Sequence, residues 1–176
     1  MVEDPVTCIS LTGGVSYYLP NGRSNIFNAR LCLMPAPLLA SSAEMAEAMR
    51  GEVSVRSLLS MTEMASYTLV GIGALADDAT IIKGGVLTGS DHLYLRMKNA
   101  VGDVLCHFLD KDGVLVESPI EDRLIATPLS QLRTMRNVIG LAAGTEKAEA
   151  IRAVLRGGYL DVLVTSEATA ELLLKE

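Results

Sequence analysis

The sequence contains no tryptophan, and only 4% of its residues are aromatic, which excludes a core built on stacked rings. Its three cysteines, Cys8, Cys32 and Cys106, are widely spaced and odd in number, with no C-x-x-C pair. That spacing excludes a disulfide framework and suits a reducing cytosol, where thiols serve as small buried apolar groups. The two histidines, His92 and His107, have no partner at metal-ligand spacing, so neither a zinc site nor any cofactor is expected. No apolar run reaches the ~18 residues of a membrane span. Met1-Val2-Glu3-Asp4-Pro5 lacks the basic start and apolar stretch of a signal peptide, so a cytoplasmic chain without membrane contact is expected. Basic residues are scarce as well: 15 Lys and Arg against 21 Asp and Glu give a net charge of −6. Binding DNA through its phosphates needs a clustered basic surface. The nearest group, Arg123 with Arg133 and Arg136, is offset by Glu121 and Asp122. Direct DNA contact by this segment is not expected.

What remains is aliphatic. With 176 residues and 49% apolar composition the chain can bury one core of Leu, Val, Ile, Ala and Met, and with 20% charged residues it should be globular. Seven internal methionines, Met34, Met45, Met49, Met61, Met64, Met97 and Met135, read as core filler. Short apolar runs alternate with amphipathic stretches, the pattern of an α/β domain. Strands are expected at Cys8–Leu11, Asn28–Met34, Tyr67–Ile72 and Val138–Ala142, then at Val162–Val164. Val101–Leu109 is an almost continuous apolar run. Ser41 with Glu44 suggests a capping box opening a helix that Gly51 breaks, with a second helix through Val55, Leu58, Leu59 and Met61. Further helices are expected near Asp91–Lys98, after Thr127-Pro128, over Thr145–Arg156, and around Ala168, Leu172 and Leu173, with a polar loop over Asp77–Ser90. No repeat or linker divides residues 1–176, which read as one domain. Near-continuous apolar strands separated by helices imply a mostly parallel sheet covered by helices on both faces.

Ligands in such sheets sit beyond the carboxyl ends of strands. The junctions to search are therefore Gly13-Gly14, Pro35-Ala36-Pro37, Gly71-Gly73, Gly144–Lys147 and Thr165–Glu167. At Gly144-Thr145-Glu146-Lys147, Thr145 is a plausible N-cap, but a cation in the first helical turn opposes the macrodipole. Either Lys147 shares an anion with the helix N-terminal N–H groups, or it is a solvated lysine neutralised by Glu146 or Glu149. Asp103 could accept hydrogen bonds from sugar hydroxyls or fix a backbone turn. Gly71-x-Gly73-x-x-Ala76, with Asp91 twenty residues beyond Gly71, matches a dinucleotide fingerprint, but no long helix follows the turn, which disfavours NAD. Asp110-Lys111-Asp112-Gly113 places its glycine at the wrong position for a calcium loop and reads as a tight turn. Neither G-x-S-x-G nor a Walker-type loop occurs.

Several junctions read together as one family. Ser10-Leu11-Thr12-Gly13-Gly14, Met34-Pro35-Ala36-Pro37-Leu38 and Val70-Gly71-Ile72-Gly73 resemble successive motifs of the SorC-type sugar-binding domain. So do Ala100-Val101-Gly102-Asp103-Val104 with Phe108-Leu109-Asp110, Gly144-Thr145-Glu146-Lys147, and Gly157-Gly158-Tyr159 to Leu163-Val164-Thr165. The chain is most similar to regulators of sorbose-type sugar operons and of the lsr operon, to which Asp77-Asp78-Ala79-Thr80-Ile81-Ile82 adds. The resemblance implies a fold similar to sugar-phosphate isomerase and CoA-transferase-like (Rossmann-like) α/β domains. It implies an effector switch: a sugar or sugar phosphate binds at the strand ends and alters DNA affinity elsewhere in a homo-oligomer, dimer or tetramer. It assigns ligand contacts to Lys147 and Asp103, and pocket lining to Gly13, Gly14, Pro35, Ala36, Pro37, Gly73, Gly144 and Glu167. Family members also carry a helix-turn-helix and a first strand with a phosphate-cradling loop ahead of these motifs, so DNA contact is expected only through a domain absent from this chain. Where the family ends a strand in Thr-Asp-Glu, this chain has Thr165-Ser166-Glu167. Two alternatives stay open: a sugar-phosphate isomerase or deaminase using Lys147, and an oligomerisation module without ligand.

Overall fold

In the computed structural model, residues 6–14, 29–76, 80–83 and 85–175 are described. Asn28, Asp77, Asp78, Ala79 and Gly84, which carry parts of the expected second strand and polar loop, lie outside them. The chain divides into two compact units, residues 1–64 with 122–127, and residues 65–121 with 128–176.

The first unit pairs β1 (Val6–Ile9) with β2 (Ala29–Cys32) in parallel and follows with α1 (Ala43–Gly51) and α2 (Val53–Thr62). The N-cap of α1 is Ser42, not Ser41: its hydroxyl accepts the Met45 N–H at 3.2 Å. A backbone N–H bond, and after it the Ser42 hydroxyl, hold the Glu44 carboxyl below its ordinary range. Gly51 is the last residue of α1, and Glu52 both ends that helix and starts α2. Met34, Ala40, Ala46, Val55, Leu58 and Ile125 form this unit's core.

The second unit carries β3 (Thr68–Ala74), α3 (Thr80–Lys83), α4 (Gly89–Met97), β4 (Ala100–Val104), β5 (His107–Asp110) and α5 (Pro119–Arg123), whose last two residues belong to the first unit. It continues with α6 (Leu129–Leu132), β6 (Val138–Leu141), a 3₁₀ turn at Thr145–Lys147, α7 (Ala148–Arg156), β7 (Val162–Val164) and α8 (Glu167–Leu174). Its five strands run in the order β5-β4-β3-β6-β7. The sheet is mixed: β3-β6 and β6-β7 are parallel, whereas β3-β4 and β4-β5 are antiparallel. The expectation of a mostly parallel sheet is corrected at Val101–Leu109, an apolar run that folds back on itself. Leu105 and Cys106 take φ of 54° and 66°, making a two-residue reversal without the Gly or Asn that usually marks one.

Helix α7 packs on β3, β4 and β5. The approach is close at Gly102, where a Cβ would collide with Ala150. The period-2 pattern of β3 buries Val70 and Ile72 and turns Leu69 outward. Pairing carries Leu69 to Ile139 and Val162, and Gly71 to Leu141 and Val164. On those two rows Leu69 is 62%, Leu141 46%, Val162 48% and Val164 51% exposed, so among the described residues this face of β3-β6-β7 lacks the expected cover. Other apolar expectations also shift. Met45, Met61, Met64 and Met97 are exposed rather than core filler, and Cys8 is exposed while Cys32 and Cys106 are only partly buried. The Asp110–Gly113 turn is as read: Asp110 Oδ1 accepts the Asp112 and Val114 N–H groups at 2.9 Å each. No described helix is long and apolar enough to cross a membrane.

Candidate functional site

The expected site residues fall into both units. In the first, Gly13 and Gly14 meet the Pro35-Ala36-Pro37 loop. Gly14 N–H donates to Ala36 O and Gly13 N–H to Ile125 O, each at 2.9 Å. A Cβ at Gly13 would collide with the Pro37 and Ala36 carbonyl oxygens, and Gly14 has φ +76°, so both positions need glycine for backbone reasons. Pro35 and Pro37 are exposed and Ala36 is half-buried.

In the second unit Asp103, Gly73 and Lys147 converge. Asp103 is the cross-strand partner of Gly73, where a Cβ would collide with Asp103 Oδ1. Glycine at 73 therefore makes room for the carboxylate. Asp103 Oδ2 accepts the Cys106 N–H at 3.1 Å, bracing the left-handed hairpin turn. Although Asp103 keeps some accessible surface, burial pushes its carboxyl up to about 6, against the lowering effects of the Cys106 N–H, His107 and Lys147. Burial, then the Asp103 charge, pushes the Cys106 thiol up to about 12, so it is no nucleophile at neutral pH.

Lys147 is half-buried, and its Nζ donates to the Ile72 carbonyl at 3.1 Å, one residue before Gly73. The expected helix start is corrected here. Thr145 makes no side-chain cap; Thr145–Lys147 is a 3₁₀ turn entered from Gly144 at φ +122°, and Lys147 stands at the N-cap of α7. The lysine thus lies outside the first turn of α7, and its amine is held by a carbonyl. Glu167 is exposed in the first turn of α8. Ser166 caps α8 through the Thr169 N–H at 3.4 Å.

Two features escaped the sequence reading. His107, 5% exposed, holds Glu121 through Nδ1 at 2.9 and 3.0 Å from the two carboxylate oxygens. A carboxylate only accepts, so Nδ1 carries the proton. The partners lie fourteen residues apart on different elements, which leaves no local signal. Asp91, the acid of the dinucleotide-like motif, completes a capping box with Thr88 at the start of α4. An open cleft of about 720 Å³, lined by residues including Arg96, Lys98, Lys111, Asp112 and Glu149, includes neither Lys147 nor Asp103.

Known proteins resemble this chain in sequence and fold. Residues 2–175 match the Sugar-bind family model, described as "Putative sugar-binding domain". The chain is similar to the transcriptional regulator LsrR of Klebsiella pneumoniae, with 38% identity over 172 residues, 96% of this chain and 53% of that protein. It is similar to LsrR of Escherichia coli O139:H28, with 40% identity over 174 residues, 97% of this chain and 55% of that protein. The chain therefore spans about half the length of the curated relatives it matches. Among solved structures, the full-length sorbitol operon regulator SorC from Klebsiella pneumoniae aligns with a TM-score of 0.85 at 27% identity, over 97% of this chain and 58% of that one. A DeoR family transcriptional regulator from Listeria monocytogenes aligns with a TM-score of 0.86 at 27% identity, over 96% and 69%. The chain belongs to this sugar-binding domain family, that of the SorC-type transcriptional regulators.

Proposed function

We propose that this chain is the effector-sensing part of a carbohydrate-operon regulator, in which a sugar or sugar phosphate binds at Lys147 and Asp103. The observation that carries the reading is their juxtaposition on β3. The Lys147 amine holds Ile72 O, and Asp103 stands opposite Gly73. An ammonium suits a phosphate, and a carboxylate accepts hydrogen bonds from polyol hydroxyls. Gly73 supports the site by leaving space for the acid, and Gly144 by turning the chain into the lysine. In this reading Glu167 belongs to the same unit as Lys147 and Asp103, whereas Gly13, Gly14, Pro35, Ala36 and Pro37 form a separate loop cluster in the first unit, where the two glycines have backbone reasons of their own. The parallel β3-β6-β7 half supports kinship with Rossmann-like sugar-phosphate isomerase folds.

DNA contact would belong to a domain outside this chain, in keeping with the net charge of −6 and the span of half the relatives' length. The working form would be a cytoplasmic dimer or tetramer. Ligand would act by population shift, moving the equilibrium between protomer arrangements only by its differential affinity for them. Calorimetry against a panel of phosphorylated sugars and their unphosphorylated counterparts tests the reading. Expected is binding of at least one phosphorylated member, lost in Lys147→Ala. Binding that is unaltered by Lys147→Ala would overturn the site assignment.

A further inference from the structure

Thr169 is wholly buried in the first turn of α8, where valine would fill the same volume without a polar atom. Its hydroxyl has two partners. Thr169 Oγ1 accepts the Gly144 N–H at 3.0 Å and shares a 2.8 Å hydrogen bond with Ser166 Oγ, the cap of α8. Gly144 is the residue from which the lysine-bearing turn departs: its carbonyl accepts the Lys147 N–H at 3.0 Å. At φ +122° its amide is tied to a side chain on a different element. The turn is therefore fixed at one end by Thr169 and at the other by Lys147 Nζ on Ile72 O.

We infer that Thr169 is the positioning residue for Lys147, the hydroxyl that fixes the Gly144 turn and so aims the ammonium along β3. Removing the hydroxyl leaves the Gly144 N–H without its acceptor, and a half-buried amide regains a partner by rotating toward water. That rotation carries Lys147 off Ile72 O. Serine at 169 keeps the acceptor and so keeps the turn. Buried volume alone would make Thr169→Val the benign change and Thr169→Ser the damaging one, which is the opposite order. The inference matters for sensing only if Lys147 binds the effector, as proposed above, but its test needs no ligand.

The test is limited acetylation of the 176-residue chain with acetic anhydride, each lysine quantified by mass spectrometry, with exposed Lys98 and Lys111 as internal standards. Thr169→Val is expected to raise the relative acetylation rate of Lys147 by at least about threefold, the loss of one hydrogen bond. Thr169→Ser is expected to match wild type. An unchanged Lys147 rate in Thr169→Val, or an equal rise in both variants, overturns the inference. Should Thr169→Val not fold, the wild-type Gly144 amide decides: hydrogen exchange slowed at least about tenfold supports the bond, and an unprotected amide overturns it. Loss of sugar-phosphate binding in Lys147→Ala beside an unmoved footprint in Thr169→Val would retain the site and reject the role of Thr169.

Discussion

Lys147 Nζ bonds the carbonyl of Ile72, and Asp103 stands across from Gly73, the next residue of β3. The ammonium is thus held by an uncharged acceptor, and a phosphate in its place would add the attraction of opposite charges. Lys147→Met retains the aliphatic stem and removes the charge. Its thermal stability is expected to stay within about 1 kcal/mol of wild type. Its affinity for a phosphorylated sugar should fall about 10- to 100-fold, one charge-assisted bond. Differential scanning calorimetry and titration on the same samples check both numbers.

Asp103 predicts a pH dependence. Burial lifts its carboxyl from 3.8 to about 6, so the folded chain holds a proton that the unfolded chain releases. The stability contributed by the protonated form is fully present below pH 3.8 and is lost as pH rises through about 6. That displacement corresponds to on the order of 3 kcal/mol. Asp103→Asn stays neutral, so its stability relative to wild type should climb between pH 4 and pH 6 and then level off. Urea denaturation across that range measures the difference; parallel profiles would refute the assignment. Sugar affinity in wild type should instead rise as pH passes through about 6, where the carboxylate of the folded chain forms.

Two glycines near the site have different reasons to be glycine. Gly144→Ala forces φ +122° on an L residue, while the Glu146 carboxylate that its Cβ would meet is the exposed end of a flexible side chain, so backbone strain should dominate and cost on the order of 1–3 kcal/mol of stability. Gly73→Ala instead places a Cβ against Asp103 Oδ1 and should lower sugar affinity more than it lowers the melting temperature. Denaturation and titration of the two variants separate strain from crowding.

Periodicity and turn chemistry made much of this legible. The strands at Val138 and Val162, the Asp110–Gly113 turn and the Gly144 junction are where apolar runs and glycines place them. The β4-β5 hairpin was not, because Leu105 and Cys106 adopt left-handed backbone that their side chains disfavour and that the Asp103 carboxylate braces. Chemistry alone leaves Lys147 and Asp103 open, the first as a cation at an expected helix start that the 3₁₀ turn corrects, the second as an acid in an apolar run; their ligand roles come from the family resemblance. Their meeting on β3 depends on register, which no single segment encodes. His107 with Glu121, and Thr169 with Gly144, pair residues 14 and 25 positions apart through side-chain bonds that leave no periodic trace.

The open face of β3-β6-β7 predicts association. Leu69, Leu141, Val162 and Val164 form an exposed aliphatic row pair on three adjacent strands. Such faces seek cover. Leu141→Lys with Val164→Lys should shift the isolated chain toward monomer in sedimentation velocity without changing sugar affinity; an unchanged distribution would clear this face of a role in self-association.

The most direct measurement is a crystal structure of the chain bound to a phosphorylated sugar that calorimetry has selected. The account predicts the phosphate within about 3.2 Å of Lys147 Nζ and a sugar hydroxyl donating to the Asp103 carboxylate. A ligand seated elsewhere, with Lys147 still on the Ile72 carbonyl and Asp103 untouched, would contradict it.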